Sequence, residues 1–246
     1  MKKYYRILFK ILLKLKCNIS RFIEFSYINN NSFEWEKENF NERESVKNKT
    51  KSELVLEVLE PKKKLKIMEI GTAGGNTTEE FLNKVMLNRN SIMYAFDPYT
   101  PYPDKNLRNN DLVLEKFLAR FKNDITENRL KFSRINSFDG LINLINQNHK
   151  ETFDLIFIDG NHKAKNVLED FLLSLSLVKK NGYIMFDDYK WFPTMKKNRS
   201  DGYKSFKDVP LEKVPKYAIE MISKFKDDIR YVSAANNYNV LLFQKK

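Results

Sequence analysis

The feature that most constrains the fold is an alternation of short apolar runs and helical stretches from about residue 53 onward. Strands are predicted at residues 65–70, 91–97, 130–135, 153–159 and 183–187, and in two final segments, IRYVSA and NVLLFQK. Helices are predicted in SELVLEVLE, TTEEFLNKV, DLVLEKFLARFK, GLINLINQ, AKNVLEDFLLSLSLVKK and VPKYAIEMISKF. Such alternation builds a parallel sheet with helices on both faces. Few polar residues separate the last two strands, which predicts an antiparallel hairpin. We therefore expect an α/β fold, a doubly wound sheet of about seven strands.

The composition fits one sizeable domain preceded by two smaller segments. The chain has 246 residues, 42% of them hydrophobic, which is enough for one proper core. Residues 53–246 are predicted to be this domain, residues 26–52 a polar linker or cap, and residues 1–25 a basic helix. The single cysteine, Cys17, excludes an internal disulfide framework and a cysteine-based zinc site.

The first 25 residues are predicted to form a basic amphipathic helix. Lys3, Arg6, Lys10 and Lys14 recur at helical spacing, and they interrupt the apolar run that a bilayer span or a signal peptide needs. Such a helix can lie on an anionic membrane surface, or its apolar face can pack on its own domain or on a second subunit. We expect a cytoplasmic protein, at the membrane surface under the first alternative.

The net charge of +12 is unevenly distributed. Residues 1–25 hold seven Lys or Arg against one Glu, and residues 189–207 hold six against one Asp. Two local patches could therefore attract anions. A lysine-rich composition that places lysines in every solvated segment explains the pattern equally well. RNA binding is a weaker interpretation, because the sequence has no aromatic-rich nucleic-acid motif.

A glycine-bearing turn, EIGTAGGNTT at residues 69–78, joins the first predicted strand to a helix. Glycines allow close approach of the backbone to a ligand, and the helix start offers amide donors to an anionic group. Thr77 or Thr78 is predicted to cap this helix. Asp97 ends the second strand, where an acid can accept hydrogen bonds from ribose hydroxyls, and Ser137 follows the third. Together these residues predict a site for a nucleoside-containing cofactor.

Three acids follow the next two predicted strands. Asp159 ends the fourth strand, and Asp187 and Asp188 end the fifth. If these strands are neighbours, the carboxylates converge and disfavour one another's ionisation, which a divalent cation such as Mg²⁺ with oxygen ligands relieves. His162 lies three residues beyond Asp159. Because imidazole titrates near neutrality, His162 is predicted to be a general base.

These motifs resemble those of class I S-adenosylmethionine-dependent methyltransferases over roughly residues 53–246, which implies a Rossmann-like sheet. EIGTAGGNTT resembles the first motif, AFDPY the second, and FDLIFIDGNH with YIMFDDY the metal-site motifs. The pattern is most similar to metal-dependent O-methyltransferases of the macrocin and mycinamicin sugar type, and more distantly to catechol O-methyltransferase. One departure is Asn181 in KKNGYI, where the family usually has glycine; both residues tolerate left-handed backbone.

The resemblance implies roles for individual residues. S-adenosylmethionine would contact Glu69, Gly71, Gly75, Thr77, Asp97, Ser137, Phe138 and Asp159. Asp97 would bind the ribose, and Ser137 with Phe138 would lie near the adenine. Asp159, Asp187 and Asp188 would hold Mg²⁺, and His162 would be the base.

The expected function is methyl transfer to a hydroxyl of a sugar or glycan, with an anionic acceptor favoured by the basic segment 189–207. A small phenolic or macrolide-like acceptor is the alternative within the same chemistry. An alternative with a different class of acceptor is methylation of a nucleic acid that the basic patches bind. Homo-oligomerisation through residues 1–25 is a further expectation.

Overall fold

A computed structural model of the chain describes residue 40 and residues 44–100, 110–193, 202–203 and 209–246. The chain divides into two compact units, Met1–Asn41 and Glu42–Lys246. All described residues after Phe40 belong to the second unit, and the fold below is that of this unit. The basic segment of residues 1–25 and much of residues 26–52 lie outside the described residues, so their predictions stay predictions.

Helices and strands alternate along the second unit, as the sequence predicts. The strands are β1 (Lys66–Ile70), β2 (Ile92–Phe96), β3 (Leu130–Ser133), β4 (Phe153–Ile158), β5 (Val178–Phe186), β6 (Ile229–Ala235) and β7 (Val240–Lys245). The helices are α1 (Glu44–Lys47), α2 (Lys51–Leu56), α3 (Asn76–Glu80), α4 (Asn110–Arg120), α5 (Lys122–Thr126), α6 (Ser137–Asn146), α7 (Ala164–Leu177) and α8 (Pro215–Ile222). A π-helical turn, Phe81–Val85, continues α3, and a 3₁₀ turn spans Leu211–Lys213.

The seven strands form one sheet in the order β3-β2-β1-β4-β5-β7-β6. Strands β1 to β5 pair in parallel, and β7 is antiparallel to both β5 and β6. The predicted mostly parallel, Rossmann-like sheet with a C-terminal antiparallel hairpin is confirmed. The strand order reverses between β1 and β4, and in open sheets of this kind ligands bind outside the carboxyl ends of the strands at such a switch point.

Helices cover both faces of the sheet. Adjacent residues of a strand point to opposite faces, and in β5 both sides are buried. Met185 belongs to a cluster that includes Leu54 of α2 and Phe117 of α4. Phe186 points the other way, where its ring centroid lies 6.1 Å from that of Phe171 in α7. Burial on both faces explains why the central strands read as continuous apolar runs.

The boundary between α7 and β5 differs from the prediction. The helix was expected to continue to residue 180 and the strand to begin at residue 183, but α7 ends at Leu177 and β5 begins at Val178. Val178 pairs with Phe153 of β4 before an irregularity in the register, so strand pairing competes successfully with helical periodicity here. Asn181 has φ of +63°, the left-handed backbone that the sequence predicts.

Residues 44–52 pack against the β6–β7 hairpin. The amide of Asn236 donates to the Lys49 carbonyl at 3.0 Å, and that of Asn237 donates to the Val46 carbonyl at 3.2 Å. Ser52 is fully buried. This part of the segment predicted as a linker or cap therefore belongs to the same unit as the sheet and fixes the start of α2 beside it.

Among the described residues, no helix combines the length and the apolar character that crossing a membrane requires.

Candidate active site at the carboxyl edge of the sheet

Three carboxylates meet where β4 and β5 end. Asp159 follows β4, and Asp187 with Asp188 follows β5, its neighbour in the sheet. One carboxylate oxygen from each lies within 4.8 Å of the other two. The amide of Asp187 donates to the Ile158 carbonyl at 3.1 Å, which extends the strand pairing to the acids themselves. Parallel pairing thus brings together side chains that are distant in sequence.

The backbone after β5 is held in an uncommon conformation. Asp188 has φ of +59°, and its amide donates to Asp187 Oδ1 at 2.8 Å. Asn239, at the end of the β6–β7 turn, donates from Nδ2 to Asp187 Oδ1 at 3.3 Å and to Asp188 Oδ1 at 3.4 Å. Its carbonyl accepts from the Tyr189 amide, and its Oδ1 accepts from the Lys190 amide, each at 3.0 Å. One asparagine therefore holds both carboxylates and the chain that follows them.

His162 lies in the loop between β4 and α7, beside the third acid. Its Nδ1 is 3.1 Å from Asp188 Oδ2. Its ring stacks on Trp191, with centroids 4.3 Å apart and planes inclined by 26°. When Nδ1 carries the proton and donates to Asp188, Nε2 is the nitrogen left to accept a proton. The carboxylate and the indole together fix the ring in one orientation.

Lys51, the first residue of α2, reaches into the acidic cluster. Its Nζ forms an ion pair with Asp187 Oδ2, lies 3.3 Å from Asp159 Oδ2 and donates to Thr77 Oγ1 at 3.2 Å. It also lies 4.7 Å from the centroid of the Phe157 ring. Burial lowers the pKa of Lys51, but Asp159 and Asp187 outweigh this and raise the pKa above its ordinary value. The lysine is therefore charged and pairs with two of the three acids.

The acids respond differently to this environment. Burial, followed by the charge of Asp187, raises the pKa of Asp159 well above its ordinary value, although Lys51 opposes the shift. Burial also raises the pKa of Asp188, but the hydrogen bond from His162 and the other partners outweigh it, so this pKa is lowered. Of these two acids, Asp159 is thus the one whose charge is less well compensated.

The packing of the chain explains why glycines occupy the turn between β1 and α3. Gly71 has φ of +87°, and a Cβ there would lie 2.1 Å from the Asp159 carbonyl oxygen. Gly75 has φ of +82°, and a Cβ there would lie 2.4 Å from the Phe121 ring. Among the described residues, no heavy atom lies within 4 Å of a Cβ on Gly74. Gly71 and Gly75 therefore accommodate the chain itself, whereas Gly74 does not contact the described part of it.

The prediction that Thr77 or Thr78 caps this helix is wrong. Helix α3 begins after Gly75 with no side-chain cap. Thr78 instead donates to Glu69 Oε2 at 2.5 Å, and Thr77 accepts from Lys51. Glu69 is only 1% exposed, and burial raises its pKa to about 7 despite the Thr78 bond. Thr78 is used to satisfy a buried acid at the end of β1.

Asp97, after β2, organises the same turn from the side. Its Oδ2 accepts from the Thr72 amide at 3.0 Å and from the Ala73 amide at 2.9 Å, and its Oδ1 accepts from the Tyr99 amide at 2.8 Å. The Tyr99 hydroxyl donates to the Ala73 carbonyl at 2.6 Å. The acid predicted to bind ribose therefore lies against the glycine turn, with its carboxylate engaged by backbone amides.

Ser137 and Phe138 form the start of α6, after β3, and both are half-buried. Asp170 of α7 is 1% exposed, and burial raises its pKa to about 7, an effect that Ser137 opposes. Ser137 therefore lies near a buried acid of the neighbouring helix.

Residues 68–189 match the family model of a methyltransferase domain. This segment is therefore similar to a methyltransferase domain. Over 134 residues, or 52% of its length, it is 31% identical to an uncharacterized protein of Acanthamoeba polyphaga mimivirus. It spans about 55% of the length of this curated relative.

Solved structures share the fold of this chain at low identity. A protein from Corynebacterium glutamicum gives a TM-score of 0.51 at 10% identity, over 93% of this chain and 97% of its own. An O-methyltransferase from Bacillus cereus in complex with S-adenosylhomocysteine gives a TM-score of 0.50 at 16% identity, over 74% of each chain. At these identities the likeness establishes the fold.

The residues at this edge of the sheet fit the two groups that the sequence resemblance implies, S-adenosylmethionine and Mg²⁺. The turn ending at Gly75 leads into α3 at the switch point, Asp97 lies beside it, and the position of Gly74 is open. Asp159, Asp187 and Asp188 offer hard oxygen donors suited to Mg²⁺. The Asp159 carboxylate is buried and its negative charge is only partly compensated, and a bound cation would supply the missing positive charge.

Sequence reasoning missed three residues of this site: Lys51, Trp191 and Asn239. Trp191 lies three residues after Asp188, so an aromatic residue close to the DDY motif was an available signal. Lys51 gave no signal, because its partner Asp159 is 108 residues away. All three residues lie outside the matched segment 68–189.

Proposed function

We propose that the protein is an S-adenosylmethionine-dependent, metal-assisted O-methyltransferase with His162 as general base. The observation that carries this proposal is the placement of three carboxylates and an oriented histidine at the switch-point edge of the sheet, beside the glycine turn. Hydroxyl acceptors need a base and a source of positive charge near the attacking oxygen, and this edge offers a candidate for each.

The chain's own residues then have distinct tasks. When bound, the cofactor supplies a methyl group on its sulfonium sulfur, and a divalent ion held by Asp159, Asp187 and Asp188 supplies charge that lowers the pKa of an acceptor hydroxyl. His162 takes the hydroxyl proton at Nε2, because its Nδ1 faces Asp188. The acceptor oxygen bonds to the methyl carbon as the carbon–sulfur bond breaks. Asp188 stabilises the imidazolium that results.

The proposed acceptor is a sugar or glycan hydroxyl, with anionic groups nearby. Support comes from the resemblance to sugar methyltransferases and from the positive charge of residues 189–207, most of which lie outside the described residues. A small phenolic acceptor is the second candidate. The half-buried Trp191, stacked on His162, favours it by offering a flat aromatic surface beside the base.

Residues 1–25 also carry a proposal, contact of a cytoplasmic protein with an anionic membrane surface. Its support is the basic amphipathic sequence pattern. Sedimentation with vesicles containing phosphatidylserine tests it on the full chain. Loss of sedimentation when Lys3, Arg6, Lys10 and Lys14 become Gln supports it, and vesicle-independent self-association indicates a subunit contact instead.

The test of the activity follows release of S-adenosylhomocysteine with a panel of sugars, glycans and catechols as acceptors. We expect His162→Gln and Asp187→Asn each to lower turnover by about 10²-fold or more, with chelation abolishing it and Mg²⁺ restoring it. Lys84→Met, at an exposed lysine paired with Glu80, is the control. Unchanged turnover in both site variants would overturn the proposed function. Unchanged turnover after chelation would overturn only the role of the metal ion.

A further inference from the structure

The position of Lys51 is unusual for a residue outside the matched domain segment. It begins α2, yet its ammonium contacts Asp187, Asp159 and Thr77. Its side chain is only 19% exposed. Lys51 therefore connects the acids at the end of β4 and β5 with the helix that follows the glycine turn.

The ammonium uses oxygens that a metal ion would need. Asp159 and Asp187 are two of the three candidate ligands, and Lys51 contacts the Oδ2 atom of each. The third acid, Asp188, is engaged by His162 and Asn239 instead. A divalent ion bound to Asp159 and Asp187 at contact distance would lie within a few ångströms of this ammonium, where like charges repel strongly in a partly buried site.

We propose that Lys51 is an internal counter-cation, which holds Asp159 and Asp187 together in the metal-free protein and which a divalent ion displaces on binding. The inference rests on the metal part of the proposed function. Lys51 then has two effects. It prevents the paired acids from repelling each other while no ion is bound, and it lowers the apparent metal affinity by competing for the same oxygens.

The displacement needs only a movement of the lysine side chain. The backbone at the start of α2 is fixed by a capping box, in which Thr50 and Glu53 bond to each other's amides. Ser52 donates its hydroxyl to Glu80 Oε1 at 2.5 Å, and Leu54 is fully buried. The ammonium can therefore leave the acids, and with them the Thr77 hydroxyl, while α2 keeps its place.

The experiment compares metal binding by the full-length protein and three variants. Mn²⁺ and Mg²⁺ affinities are measured by calorimetry for wild type, Lys51→Met, Lys51→Arg and the surface control Lys84→Met. We expect Lys51→Met to bind Mn²⁺ about tenfold more tightly, because its competitor is gone, and to melt at a lower temperature without metal. Lys51→Arg and Lys84→Met should bind as wild type does, since each retains the cation at the cluster.

A second measurement uses the unaltered protein and does not depend on the folding of a variant. Acetylation of Lys51 by a small reagent, followed by mass spectrometry, should accelerate when Mn²⁺ is added, while acetylation of Lys84 should not change. Equal or weaker Mn²⁺ binding by Lys51→Met overturns the inference about Lys51 but not the proposed function. A Lys51 acetylation rate that does not change when Mn²⁺ is added has the same consequence. Absence of Mn²⁺ and Mg²⁺ binding in every protein overturns the inference together with the metal part of the proposed function.

Discussion

At the scale of single residues, Gly71 and Gly74 belong to the same turn but have different surroundings. Gly71 combines φ of +87° with a Cβ position 2.1 Å from the Asp159 carbonyl oxygen, whereas the Cβ position of Gly74 is open. The sequence resemblance predicts cofactor contact for Gly71 and Gly75, because a motif cannot show which neighbour lies close to each glycine. Within the described residues, the structure separates a glycine that the approach of β1 and β4 requires from one whose Cβ position is open.

We predict that Gly71→Ala lowers the free energy of unfolding by about 3 kcal/mol or more, since it adds left-handed strain to a clash with rigid backbone. The matched control, Gly74→Ala, should change stability by less than about 1 kcal/mol. Urea unfolding of both variants measures the difference. Similar stabilities for the two would contradict the close approach of β1 and β4 at Gly71.

At the scale of elements, two contacts between neighbouring segments are available for testing. Helices α6 and α7 enclose Asp170, whose Oδ2 has no hydrogen-bond partner among the described residues. The β6–β7 hairpin places Asn239 against the acids that follow β5. Neither contact follows from a local pattern, because each depends on how helices and strands pack.

Asp170 should make stability depend on pH. Burial, opposed by Ser137, raises its pKa to about 7, above the ordinary value of 3.8. A raised folded-state pKa gives a contribution that is fully present below the unfolded-state pKa and is lost as pH rises through the folded value. Between about pH 5 and about pH 8, wild type should therefore lose roughly 2–3 kcal/mol relative to Asp170→Asn.

Urea unfolding of wild type and Asp170→Asn at both pH values checks this. Comparing the two proteins cancels the contribution of Glu69, whose pKa is also raised to about 7. A constant stability difference between them would show that Asp170 does not titrate in this range.

Asn239→Ala should loosen the segment that carries Asp187 and Asp188. It removes the side-chain bonds to both acids and to the Lys190 amide, while the backbone bond to Tyr189 remains. Loss of such supporting bonds typically weakens metal binding by about 10–100-fold. Calorimetry with Mn²⁺ measures the change. Asn88→Ala controls for general destabilisation, because the Asn88 side chain likewise donates to the backbone, at the Lys62 carbonyl. Full affinity in Asn239→Ala would show that the acids are positioned by the strand alone.

At the scale of the whole molecule, the strand order decides where chemistry can take place. The reversal between β1 and β4 brings the glycine turn, Asp97 and the three acids to one edge of the sheet. A ligand bound at this edge contacts segments that are far apart in sequence and requires all of them to be folded. Its binding should therefore stabilise the sheet as a unit.

We predict that S-adenosylhomocysteine raises the melting temperature of the full-length protein. At about 100 times its Kd, a ligand adds about 2.7 kcal/mol, which corresponds to roughly 5–10 °C for a unit of this size. NAD is the control, because the turn lacks the GxGxxG fingerprint of dinucleotide sites. A thermal scan that shows no shift with millimolar S-adenosylhomocysteine, or an equal shift with NAD, would contradict the cofactor assignment.

The sequence by itself determined the order of strands and helices and the polar residues at the strand ends, because hydrophobic periodicity and motifs are local properties. It thereby predicted that Asp159, His162, Asp187 and Asp188 share one edge. Only the tertiary structure placed Lys51 among these acids, since its contact with Asp159 spans 108 residues. It also decided that Asn239 supports them and that Gly71 serves the packing of β4. Such contacts are set by how distant segments pack against each other, and no local pattern encodes that distance.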